Sequence, residues 1–302
     1  MSETSSRSTS ARERAAAIRA EQARRERRGK LLMAGAAVGA VLLVVVALVA
    51  IRLSQGPGSK HATASGQATG SVLRDVSNVD PATFDAVGLG NVQAVPSKIQ
   101  APAMRQGGKP RMLYVGAEYC PYCAAQRWPV AVALSRFGTW SHLGSTTSSA
   151  QDVFPSTATL SFHNATYRSR YLAFNGVETT TNKPQNGSYA PLDKLSASDQ
   201  KLEDTYNKPP YVPGSGGSIP FIDIAGRYVS SGASYSPQLL AGKSHSQIAA
   251  ALNDPHSAIA KSVDGSANAI TAALCDVTGQ KPGNVCDSQG VKAAASRVPA
   301  GS

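Results

Sequence analysis

The chain has 302 residues, 42% of them apolar and 16% charged, which is enough for one mid-sized domain with appendages and too apolar for a disordered chain. Its net charge of +11 is unevenly placed, because residues 1–30 hold nine Lys/Arg and four Glu directly ahead of an apolar run. Basic residues in that position form a topology signal rather than a phosphate-binding face, so they argue against nucleic acid as a partner.

The apolar run, residues 31–51 (LLMAGAAVGAVLLVVVALVAI), carries no charged or polar side chain, and Arg52 ends it. About 20 apolar residues span the hydrocarbon core of a bilayer. The basic flank stays in the cytoplasm, so the chain reads as a single-pass protein of the cell membrane with its C-terminal part outside the cytoplasm. A cleaved signal peptide is the rival, but the run is longer than such a segment and lacks a small-x-small cleavage site. The expected organisation is a basic tail (1–30), a transmembrane helix (31–52), a flexible Gly/Ser/Pro-rich linker (53–74), an ordered domain (75–290) and a disordered tail (291–302).

Within the domain, Asp80-Pro81 predicts the start of a short helix over 79–89, since aspartate caps and proline suits a first turn. Residues 95–108 alternate weakly and end at a glycine pair. Residues 111–117 (RMLYVGA) predict a fully buried strand. Residues 123–137 predict a helix with Trp128, Ala131, Val132 and Ser135 on one face and a kink at Pro129. Residues 144–155 read as a loop, and 159–174 as two short strands. A helix is expected over 192–206. Strands at 219–224 and 227–231 form a hairpin, and helices cover 237–252 and 257–274. From Ser288 the chain reads as frayed.

Four cysteines punctuate this pattern: Cys120, Cys123, Cys275 and Cys286. An even count outside the cytoplasm favours disulfides. Cys120-Pro121-Tyr122-Cys123 falls between a strand and a helix. There the unpaired N–H groups of the helix start and its macrodipole favour a thiolate on Cys120, while Cys123, one turn in, resolves a mixed disulfide. Pro121 suits the first turn because it has no N–H to lose. The remaining cysteines are spaced C-x10-C and the five histidines show no ligand spacing, which argues against zinc. A purely structural bridge at Cys120–Cys123 stays open as the alternative, making the domain a non-catalytic binding module of the cell envelope.

The stretch YVGAEYCPYC (114–123) resembles the strand and active-site turn of the thioredoxin-like superfamily, and GSIPF (217–221) resembles the loop in which that superfamily carries a cis-proline. GAEYCPYCAAQRW, TLSFHNATYRSRYLAFNGVE, GSIPFIDIAGRYV and LCDVTGQKPGNVC together resemble the family called domain of unknown function 929, over roughly 75–290. The resemblance implies an α/β thioredoxin-like fold with an insertion between the active-site helix and the cis-proline strand. It implies a membrane-tethered thiol–disulfide oxidoreductase that needs no cofactor or metal and acts on protein thiols or disulfides, with a membrane redox partner in addition. The implied roles are nucleophile for Cys120, resolving thiol for Cys123 and substrate positioning for Pro220, with Ile219, Tyr122 and Pro121 contacting substrate. Glu118 is either a buried proton shuttle or an exposed turn residue. Cys275 and Cys286 are either a structural disulfide or a second redox pair in relay with the first.

Overall fold

The computed structural model describes residues 66–298. The expected basic tail, transmembrane helix and most of the linker lie outside the described residues. Among the described residues, no helix is long and apolar enough to cross a membrane.

Order begins earlier than expected. After β1 (Gly66–Gln67) comes α1 (Gly70–Ser77), which begins in the segment read as linker and runs into the expected domain. Val72 and Val76, one helical turn apart, are buried and anchor it. Thr69 caps it by accepting the Val72 N–H. The small residues of this stretch masked that spacing. α2 (Pro81–Val87) starts as expected, with the Asp80 carboxylate accepting the Ala82 N–H.

The short strands β2 (Ser97–Lys98) and β3 (Arg105–Gln106) precede β4 (Lys109–Gly116), the expected buried strand, and α3 (Pro121–Ser135) follows it. α3 is buried on nearly every face rather than on one. It continues through Pro129, whose missing N–H leaves the Ala125 carbonyl to accept the Tyr235 hydroxyl at 2.7 Å instead.

The next segment departs most from expectation. β5 (Gly138–Thr147) runs into the stretch read as a loop, and β6 (Ala158–Ser169) is one long strand, followed by β7 (Ala173–Glu178). The first five residues of β6 are buried on both faces, so its polar members sit in the core with partners. Thr159 Oγ1 donates to the Ala124 carbonyl at 2.7 Å, and Ser161 Oγ donates to Glu118 at the same distance. Thr146 and Thr147, at the end of β5, are buried as well, and small polar residues there hide the strand pattern. A further hairpin, β8 (Thr180–Gln185) with β9 (Ser188–Pro191), has no counterpart in the sequence reading.

Beyond it come α4 (Ala197–Tyr206), the expected hairpin β10 (Phe221–Ile224) and β11 (Tyr228–Ser231), a 3-10 turn at Pro237–Leu240, α5 (His245–Ala251) and α6 (Ala258–Val277). The helix expected over 237–252 is therefore two pieces. Ser244 and Gln247 form a capping box that starts the second. α7 (Gly283–Cys286) follows, and α8 (Gln289–Ala295) stands where the chain was expected to fray. Val291, Ala294 and Val298 are buried. Gly290 lies so close to α2 that a Cβ there would meet the Phe84 carbonyl oxygen at 2.3 Å.

The fold is mixed α/β. Its main sheet has the order β2–β11–β10–β4, with β7 parallel to β4 and β10 antiparallel to it. β1, β5 and β6 make a second, antiparallel sheet. Aromatic rings join the two sheets: Phe162 of β6 meets Tyr114 of β4 at 4.9 Å and Phe174 of β7 at 5.0 Å, edge to face. Gly176 of β7 makes this approach possible, since a Cβ there would lie 2.4 Å from the Phe162 Cβ. The result fixes the end of β4, and the residues after it, from both sides.

Candidate active site

β4 delivers the chain to Cys120, which is the N-cap of α3. Its sulfur accepts the Cys123 N–H at 3.3 Å, so one of the helix's unpaired donors is aimed at it. Both cysteines are unbridged and buried, with Cys120 6% exposed and Cys123 fully covered. Their environments drive them apart. The hydrogen bond from the Cys123 thiol lowers the pKa of Cys120, and the Cys123 N–H and the Arg127 guanidinium add to it against the opposing effect of burial. Burial pushes Cys123 well up, reinforced by its hydrogen bond and nearness to Cys120. The arrangement favours the thiolate on Cys120, which keeps a thin exposed edge, and the neutral thiol on the fully covered Cys123.

Pro121 occupies the first turn of α3, and Tyr122 stands 43% exposed between the cysteines. The Ile219–Pro220 bond is cis, and the Ile219 carbonyl lies 3.9 Å from the Cys120 sulfur. The fold thus brings two segments about a hundred residues apart to one place. Asn207 and Ser231 hold the loop before Pro220, both donating to the Ser218 carbonyl, at 2.9 and 3.1 Å.

Glu118 is buried, which excludes the exposed-turn reading. It accepts from Ser161 and lines a cavity of about 200 Å³ with His142, His163 and Asn164. A second carboxylate, which the sequence did not single out, acts electrostatically on Cys123: Glu178, at the end of β7. It forms a fully buried ion pair with Arg127, whose Nε donates to Oε1 at 2.7 Å and whose Nη2 donates to Oε2 at 2.6 Å. The same Nη2 donates to the Ala117 carbonyl at 2.7 Å, and Glu178 also accepts the Phe162 N–H at 3.3 Å. The pair therefore ties α3, the end of β4, β6 and β7 together under the cysteines. Burial raises the Glu178 pKa, against the pull of Arg127. Arg127 lies one turn past Cys123 on α3, and its partner comes from 51 residues further along the chain. Trp128 is core, its Nε1 donating to the Ala158 carbonyl at 3.1 Å.

The segment between α3 and α4 borders the site. Ser149 N–H donates to the Tyr119 carbonyl at 2.8 Å, and the Tyr189 ring from β9 stacks on Tyr119 at 4.2 Å. Cys275, near the end of α6, and Cys286, at the end of α7, form a disulfide.

The profile of the family described as Domain of unknown function (DUF929) matches residues 96–194 and 197–276, and the chain belongs to that family. No curated protein and no solved structure matches it.

Proposed function

We propose that this member of the DUF929 family is a thiol–disulfide oxidoreductase with a thioredoxin-like fold. The observation that carries the reading is the asymmetry of the cysteine pair: Cys120 caps a helix start with its pKa lowered, and Cys123 is buried with its pKa raised. A lowered pKa at a helix start suits a nucleophile, and a second, covered thiol one turn further in is placed to resolve its mixed disulfide. The order β7–β4–β10–β11, with one strand parallel and one antiparallel to β4, supports the fold assignment. The β5–β6 hairpin then stands as an insertion between α3 and β7.

In the reaction, the Cys120 thiolate attacks a sulfur of a protein disulfide, and the released thiolate takes up a proton. Deprotonated Cys123 then attacks the Cys120 sulfur of the mixed disulfide. This forms Cys120–Cys123 and frees the second substrate thiol. The reverse sequence oxidises a dithiol. Ile219 offers its carbonyl beside the Cys120 sulfur, where an extended substrate chain can pair with it. Residues 31–51 tether the domain to the membrane, and the basic residues before them place it outside the cytoplasm.

The test is the reduction potential of each cysteine pair, measured on the full-length chain in detergent by equilibration with glutathione buffers and mass spectrometry. A Cys120–Cys123 couple above about −230 mV is expected for an exchanging disulfide. If both pairs resist reduction below about −300 mV, the bridges are structural and the oxidoreductase reading fails.

A further inference from the structure

Among the described residues, the large apolar side chains standing exposed are Tyr122, at 43%, and Val153, at 69%. Isolated exposed apolar residues are ordinary on a protein surface, but these two share one place. Tyr122 lies between the cysteines, and its ring meets that of Phe154, the neighbour of Val153, edge to face at 5.9 Å.

The turn that carries Val153 and Phe154 joins β5 to β6, and its own hydrogen bonds hold it. Ser148 N–H donates to the Thr157 carbonyl at 2.9 Å, and Ser156 N–H donates to the Ser149 carbonyl at 3.0 Å. Ser148 Oγ accepts the Thr157 N–H at 2.9 Å and donates to the Phe154 carbonyl at 3.0 Å. Ser148 and Ser149 are buried. Two further bonds secure the turn to the site: Ser149 N–H to the Tyr119 carbonyl, and the Tyr189 hydroxyl to Ser149 Oγ at 2.7 Å. The β5–β6 turn and Tyr122 thus form an apolar wall beside Cys120, and Tyr189 of the β8–β9 hairpin anchors it before any substrate arrives. A pre-ordered apolar surface binds without losing its own conformational freedom.

We infer that this wall sets the substrate class: an extended polypeptide whose cysteine has a bulky apolar neighbour, which seats against Tyr122, Val153 and Phe154 while its sulfur reaches Cys120. The inference rests on the exchange reading above. A small anionic disulfide fits the wall less well. It has little apolar surface to bury, and Asp152 adjoins Val153 and acts electrostatically on Tyr119, so the local charge repels it.

The test uses the reduced full-length chain in detergent, in a single turnover. Two cyclic peptides, each closed by one disulfide, differ only in carrying Leu-Phe or Ser-Gly beside a cysteine; glutathione disulfide is the small substrate. Each turnover moves two electrons and two protons from the Cys120/Cys123 dithiol to the substrate disulfide, and mass spectrometry counts reduced peptide. The Leu-Phe peptide is expected to react at least about tenfold faster than the Ser-Gly peptide, the discrimination of one apolar side chain. Val153→Asp and Phe154→Ala should each bring that ratio towards one. A folding defect lowers both peptide rates together, whereas lost selectivity lowers only the faster.

Equal rates on the two peptides in the wild-type chain overturn the inference. So does a ratio that survives Val153→Asp, or a Val153→Asp chain whose main change is lost self-association, which marks the wall as a contact between copies. Transfer to glutathione disulfide without peptide preference overturns this inference alone. No transfer to any of the three overturns the exchange reading with it.

Discussion

The two cysteine pairs are similarly buried yet lie at opposite ends of helices. Cys120 caps the start of α3, where the Cys123 N–H points at its sulfur and the buried Arg127 guanidinium adds positive potential. Cys275 lies in the last turn of α6, where the negative end of the helix dipole opposes a thiolate, and Cys286 closes the short α7. The Cys275 carbonyl itself accepts the Gln280 N–H at 2.8 Å, locking the turn that follows. Burial is therefore alike in the two pairs, and what differs is the thiol hydrogen bond that Cys120 accepts from Cys123 and the helix end at which each pair lies. The same contrast favours a staple over a relay at Cys275–Cys286.

The largest expected effect that bears on this contrast is chemical. Cys120→Ser should lower exchange by more than about 10³-fold, as removal of a nucleophile does elsewhere. Cys123→Ser should instead accumulate a mixed disulfide between Cys120 and substrate, visible on non-reducing gels. Accumulation in the Cys120→Ser chain rather than in Cys123→Ser would reverse the assigned roles.

Arg127→Met leaves Glu178 buried without its partner and should cost about 3–5 kcal/mol in urea unfolding. The Arg127→Met/Glu178→Leu double variant should recover much of that loss. In both variants, the pH profile of Cys120 alkylation should move upward, because Arg127 lowers the Cys120 pKa. A profile that does not move would limit the pair to a structural role.

Replacing both Cys275 and Cys286 by Ser should cost about 3 kcal/mol of stability in the loop-entropy model. Exchange at Cys120 should stay within about twofold. A tenfold loss of exchange at unchanged fold would make the second pair a relay and erase the contrast.

The smallest effect is a difference of sign within the first pair. Cys123 has a raised folded pKa, so its contribution to stability is complete below the unfolded pKa and falls as pH rises through the folded value. Cys120 has a lowered folded pKa, so its contribution is present above the unfolded pKa and is lost as pH falls through the folded value. In the reduced chain, Cys123→Ala should therefore flatten the loss of stability above about pH 9 by up to about 1.4 kcal/mol per pH unit. Cys120→Ala should leave that alkaline slope in place. Urea midpoints across pH 6–11 measure both.

Much of the site was legible because its signals are local. Cys120 and Cys123 sit one helical turn apart, Pro121 fits a first turn, and the apolar run of β4 ends just before them. Pro220 was legible only through resemblance, and Glu178 not at all, since nothing in the short stretch around it marks a carboxylate destined for a buried pair. The end of β5, residues 144–147, was misread as loop because its residues are small and polar, although Thr146 and Thr147 are buried. α8 was misread because small residues such as Gly290 look like tail composition but allow close packing on α2.

By itself, the sequence determined the elements whose causes lie within one turn or one strand. These are the capped start of α2, the strand–cysteine–helix unit, the β10–β11 hairpin and the even set of cysteines. Tertiary structure alone decided which carboxylate meets Arg127, where Ile219 lies relative to Cys120 and what stands beside Tyr122. The physical reason is range. Caps, turns and periodicity act over three or four residues, whereas a buried charge takes its partner from whatever strand the sheet order brings alongside it.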